Sequence, residues 1–166
     1  MTDIIGLAAN VAIALSFVVG LIFGIAQVRA ATRDRREHFT METLRHFQSR
    51  EFVELMQYII SHDMPDTREA LQALPPAEQV YFLQFSQAME MLGILVAEKL
   101  IDLDLVEKTL GSFVSTTWEK YKAIAIKLRP ADPFLNEYFQ WLAERISERM
   151  EKNPRRPFHE EGRQGL

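Results

Sequence analysis

Glu90 is the residue whose setting could most readily support chemistry. It stands among Met89, Met91 and Leu92 in a long apolar segment, where a carboxylate shielded from water can serve as an acid or base. The plainer alternative, which the pattern favours, turns it to solvent at a bundle edge or pairs it with a Lys or Arg. His38, Glu42 and His46 recur at i, i+4 and i+8, so one helical face could offer a metal two imidazoles and a carboxylate. A zinc site usually adds a ligand from another element, none is identifiable, and Arg35 and Arg45 would repel a cation. This face reads as solvated and charged. The absence of cysteine excludes thiolate ligands, disulfides and a Cys nucleophile. There is no Gly-rich phosphate loop, Ser elbow, HExxH or paired Glu-x-x-His. No catalytic residue, metal ligand or cofactor is assigned. Of the aromatics Phe113, Trp118, Tyr121, Phe134, Tyr138, Phe139 and Trp141, most suit a core. Phe134 and Trp141 fall off the main apolar stripe and form a candidate docking surface.

A second constellation is steric. Ala8, Ala12, Ser16, Gly20 and Gly24 recur every fourth residue. Small residues at this spacing let a second helix approach closely in a membrane, where hydrophobicity offers no drive for association. The repeat drifts by about 40° per step on a helix of 3.6 residues per turn, so a partner would follow part of the ridge, chiefly Ser16, Gly20 and Gly24. The partner would be a second copy or another membrane protein.

The element that must carry this ridge is the 25-residue uncharged stretch Ile4 to Val28. As a helix it would be roughly 38 Å long, against about 30 Å of bilayer hydrocarbon, so it can span with some tilt. A signal peptide would need a basic start and a shorter apolar run, whereas Asp3 precedes this one and the run is long. Arg29, Arg33, Arg35 and Arg36 follow at once and suit lipid headgroups. Because Lys and Arg remain on the cytoplasmic side, the first three residues are expected outside and the rest inside, across a bacterial inner membrane. Residues 29–50 hold six Arg against three acids, while residues 51–153 hold seventeen acids against ten bases. The acidic distal part is a poor match for nucleic acid.

The remainder reads as all-α: residues 29–48 as a basic juxtamembrane helical stalk, 49–152 as a cytoplasmic bundle of about five to six helices, and 153–166 as a flexible tail rich in Pro, Gly and charge. Ser49 is a candidate cap for a helix burying Phe52, Leu55, Met56, Ile59 and Ile60. Asp66 and Glu69 form a capping-box pattern, and Pro75-Pro76 closes one helix and opens the next. The segment from Val80 to Ile101 is apolar on most sides. Glu90, Glu98 and Lys99 would be costly in a bilayer, so this is expected to be the bundle's central helix. Asp102 should cap a helix closed by Gly111, Ser112 should cap the next, and Asp132-Pro133 should start the last.

The order of a single span, an Arg-rich exit, GILVAEKLIDLDLVEKTLG, a Trp-bearing SFVSTTWEKYKAI and a closing FLNEYFQWLAER resembles a group of small bacterial membrane-anchored helical proteins classed as a domain of unknown function. The resemblance covers roughly residues 35–146. It implies this architecture and carries no activity or site residues.

The expectation is therefore a non-catalytic accessory, assembly or scaffold protein. Its span would pack on itself or another membrane protein, its arginines would meet lipid, and its bundle would dock a cytoplasmic protein. A tethered enzyme or ligand-binding bundle using Glu90, and a cytoplasm-facing signalling effector activated by clustering, are the alternatives.

Overall fold

A computed structural model describes residues 2–154, with the side chains of 2–5, 7–12 and 14 left aside. The tail expected at 153–166 thus lies outside the described residues from 155 onward, as does Met1. Among the described residues six helices follow in order: α1 (Thr2–His46), α2 (Arg50–Ser61), α3 (Arg68–Ala73), α4 (Pro76–Ala97), α5 (Leu103–Leu128) and α6 (Glu137–Lys152). No strand occurs among the described residues, so the fold is all-α. The chain divides into two compact units, Met1–Phe39 and Thr40–Leu166.

The first unit is helical throughout its described length. Every described side chain from Leu15 to Arg35 is exposed, the apolar ones included. Nothing interrupts the helix, since the first Pro of the chain is Pro65 and the small residues sit within a dense run of Leu, Ile, Val and Phe.

The second unit is the bundle. It begins at Thr40 rather than at 49, because the last turns of α1 belong to the core. Leu44 and Phe47 are buried, and Thr40, 0% exposed, accepts the Asp102 N–H at 3.0 Å through its hydroxyl. Ser49 caps α2 as its sequence implies, taking the Phe52 N–H at 3.2 Å. Phe52, Leu55 and Ile59 are buried, Met56 is half-buried and Ile60 is exposed. Pro75 and Pro76 open α4. This helix is long and apolar enough to cross a membrane, yet Phe82, Phe85, Met89, Leu92, Gly93 and Val96 are buried in the bundle, as a central helix requires. It packs most extensively on α6 and also on α2, while α5 packs on α6 as well. A chain of edge-on rings links every layer: Phe47 to Phe52 at 4.7 Å, Phe52 to Phe113 at 6.1 Å, Phe113 to Phe85 at 5.8 Å, and Phe85 to Phe139 at 5.8 Å. Edge-on aromatic pairs at such spacings add about 0.5–1.5 kcal/mol each beyond their burial.

Three boundaries differ from the local signals. Thr67, one residue after Asp66, caps α3 by taking the Ala70 N–H at 3.1 Å, and Asp66 instead pairs with Lys127. Helix α5 runs unbroken through Gly111 and Ser112. Gly111 is buried with the Ile146 side chain 3.4 Å from where a Cβ would lie, and packing on α6 outweighs a propensity cost of about 1 kcal/mol. Asp132-Pro133 starts a turn, not a helix: Asp132 takes the Phe134 N–H at 3.2 Å, and α6 begins only at Glu137.

Candidate functional site

The first candidate surface lies on α1. A Cβ added at Gly20 or Gly24 would meet nothing within 4 Å, so this stretch of the small-residue ridge is open. Ser16 lies on the same helix. Ala8 and Ala12 fall among the residues whose side chains are outside the description. Beyond the apolar run, Arg29, Arg33 and Arg35 are exposed and Arg36 is half-buried. Arg33 donates to Glu37 at 2.7 Å, and this pairing, first through the hydrogen bond and then through charge, holds its guanidinium above its ordinary pKa.

Glu90 has a different task from the one its surroundings suggest. Its carboxylate reaches across from α4 to α6 and accepts the Tyr138 N–H at 3.2 Å and the Phe139 N–H at 2.9 Å. Helix α6 has no side-chain cap of its own. Asn136, at its N-cap, adopts the left-handed conformation with φ 54° and points its side chain elsewhere. Glu90 satisfies donors that any helix start leaves open and sets a negative charge against the positive end of the helix dipole. One turn on, a Cβ at Gly93 would lie 2.6 Å from the Tyr138 carbonyl carbon and 2.9 Å from its Cβ. Only glycine lets α6 come this close to α4. Ser86, a turn before Glu90, donates to Asn136 Oδ1 at 2.7 Å, and Arg129 Nε donates to the Leu135 carbonyl at 3.1 Å. Residues 86, 90 and 93 therefore form one continuous cradle for the start of α6.

Beside that cradle, α3, α4, α5 and the Leu135–Asn136 turn line a half-open pocket of about 140 Å³, mainly with apolar side chains. At its wall Tyr121, 5% exposed, donates its hydroxyl to the Phe82 carbonyl, and burial holds its phenol above the ordinary range. A roomier groove of about 530 Å³ runs between Phe47, Met56 and Phe113. The α2–α3 connection is fixed from α5. Lys120 Nζ donates to the carbonyls of Ile60 and Ile59 at 2.7 and 3.2 Å, neutralising the negative end of α2. Tyr58 donates to Glu78 at 2.6 Å, and burial, with help from Glu78, pushes its phenol up to about 12.

The remaining sequence candidates are placed as follows. Phe134 and Trp141 are 71% and 39% exposed. His38, Glu42 and His46 do not make a metal site: among the described residues no group of three His, Asp or Glu could hold an ion. Sequence reasoning missed both the cradle and the cavity. Their one trace was the spacing of Ser86, Glu90 and Gly93 along a helix face that otherwise carries apolar groups.

The family model for the domain of unknown function DUF4760 matches residues 14–146. The chain belongs to the DUF4760 family. No curated protein and no solved structure matches it. The DUF4760 match starts inside the apolar helix and closes at Ile146, the last buried position of α6. Apolar helix and bundle thus fall within one family unit, and so does the Ser86–Glu90–Gly93 cradle. Helices long and apolar enough to cross a membrane number two among the described residues, one of them at the amino-terminal end, which fits membrane anchoring.

Proposed function

We propose that the protein is a single-span, non-catalytic accessory or scaffold subunit of a bacterial inner membrane, with residues 4–28 crossing the bilayer, the amino terminus outside and the bundle in the cytoplasm. One observation carries this reading. Ile13, Leu15, Phe17, Val18, Val19, Leu21, Ile22, Phe23, Ile25 and Val28 are all exposed, with Phe17 and Phe23 at 73% and 70%. Removing a side chain of this kind from water is worth about 1.5–3 kcal/mol, and a bilayer supplies that environment to all of them at once. The arginines at 29, 33, 35 and 36 suit the anionic inner leaflet and orient the span. The acidic bundle suits a cytoplasmic protein partner. Ser16, Gly20 and Gly24 provide the face on which a second copy or another membrane protein packs.

The engagement of both Glu90 oxygens by main-chain N–H groups supports a structural role for this carboxylate over an acid–base one. The reading is tested by alkaline carbonate extraction of bacterial membranes and by protease treatment of spheroplasts. The intact chain stays with the membrane, and its carboxyl half resists external protease. Release by carbonate, or digestion from outside, overturns the topology. In a two-helix membrane reporter, Gly20→Ile lowers association. An unchanged signal removes the packing claim.

A further inference from the structure

Helix α6 buries Phe139, Leu142, Ala143 and Ile146 and turns its opposite face outward, where Glu137, Trp141, Arg145 and Glu148 are exposed. Trp141 stands at the middle of that face. Glu137 lies four residues before it and Arg145 four residues after, so the three form one ridge along the helix with opposite charges at its ends. The chain itself makes little use of those charges. Among the described residues Arg145 pairs with Glu148 alone, at 3.8 Å, and Glu137 pairs with no cation. An exposed Trp flanked in this way is the composition of a contact centre, since Trp and Arg dominate the energetics of protein interfaces.

The ridge is complementary to itself. When two copies of α6 cross antiparallel with Trp141 on the two-fold axis, a residue n places after Trp141 faces the residue n places before it in the other copy. Glu137 of each copy then faces Arg145 of the other, and the two indoles meet at the centre. Packing of ridges four residues apart from both helices, at a crossing angle near −50°, is the commonest helix–helix arrangement. A parallel pair would instead oppose Glu137 to Glu137 and Arg145 to Arg145, and like charges placed together cost affinity. Glu144 and Glu148 beside the ridge disfavour an anionic lipid surface as the occupant. We infer that the outer face of α6 docks a second copy of this chain, held by a pair of Trp141 rings and two Glu137–Arg145 ion pairs. Such a contact uses the same patch on both copies and closes at a dimer. Two single helices bury less than the roughly 1,200 Å² of a standard complex, so the dimer is weak, with a Kd on the order of 10–100 μM. Two chains confined to one bilayer meet at a far higher effective concentration. The inference deepens the scaffold reading above, on which it rests for that confinement alone, and names the bundle's partner.

The test is sedimentation equilibrium of the full chain in density-matched detergent, with Gly20→Ile present throughout so that packing along α1 does not contribute. This parent chain should self-associate, and about 0.5 M salt should weaken the dimer several-fold. Glu137→Arg and Arg145→Glu each oppose like charges twice, and each should weaken association about tenfold. An equimolar mixture of these two variants should recover dimers, because every ridge contact between the unlike chains then joins opposite charges. The double swap Glu137→Arg with Arg145→Glu in one chain should recover them too. Trp141→Ala should weaken the dimer about tenfold or more while circular dichroism shows the bundle still folded. A parent chain that stays monomeric at about 1 mM assigns the face to a different protein and overturns the inference. Single swaps that associate like the parent, or a mixture of folded variants that stays monomeric, also overturn it. Release of the chain by carbonate strikes the membrane reading alone and leaves these measurements as they stand.

Discussion

Replacing Glu90 with alanine should loosen the start of α6 and lower the stability of the bundle by an amount the geometry sets. The side chain holds two main-chain donors, at 3.2 and 2.9 Å, and no other cap serves that helix end. Loss of an ordinary N-cap costs about 0.5–2 kcal/mol, and hydrogen bonds to a charged acceptor lie at the upper end of such values. The favourable placement of a negative charge at a helix start contributes about 0.3–1 kcal/mol more. Together these give roughly 2–3 kcal/mol for Glu90→Ala, or about 4–12 °C in melting temperature for a domain of this size. Glu90→Gln keeps one acceptor oxygen and forgoes the charge, so it should cost about 1 kcal/mol. Circular dichroism of the full chain in nanodiscs measures both. Amide hydrogen exchange locates the effect, because the Tyr138 and Phe139 N–H groups should lose protection before the middle of α6 does. Equal losses for alanine and glutamine, or unchanged exchange at those two amides, would refute the capping argument.

The two bundle glycines separate by the same reasoning. Gly93→Ala drives a methyl into the Tyr138 backbone and should cost at least about 2 kcal/mol, while Gly111→Ala meets the side chains of Ile146 and Glu107 at ordinary contact distance and should be neutral or gain up to about 1 kcal/mol; denaturant melts compare them. Lys120→Met frees the carbonyls at the end of α2 and should cost about 1 kcal/mol, read in the same melts. In alkali the phenol of Tyr58, raised to about 12, and that of Tyr121, also raised, favour the folded state while neutral. Their contribution is complete below pH 10 and fades as pH climbs through the folded values. Unfolding followed between pH 9 and 12 should show a falling stability whose slope is shallower in Tyr58→Phe.

Local chemistry made much of this fold readable. Ser49, Asp102 and Pro75-Pro76 act within a few residues of themselves, and each terminates or opens a helix as its type implies. The apolar stripe of α2 likewise names Phe52, Leu55 and Ile59 as buried, although its Ile60 is exposed. What escaped depends on distance along the chain. Glu90 caps a helix that starts 47 residues later, Thr40 meets Asp102 across 62 positions, and Gly111 is tolerated because α6 covers it. Asp132-Pro133 carries the local signature of a helix start, but the first turn of α6 finds its acceptor on α4 four residues further on. The cavity escaped for a related reason. Its lining runs from Met64 to Asn136, residues that only the folded bundle brings together.

The borrowed cap imposes an order of events on the newborn chain. A segment without its own first-turn acceptor has little reason to coil when it leaves the ribosome, and short isolated helices are marginal in water. Residues 137–152 thus wait for α4, which is synthesised earlier and already presents the carboxylate and the glycine notch that receive them. Until they arrive, Phe85 and Trp118 lack the cover of Phe139, a window in which chaperones or proteases would find their grip.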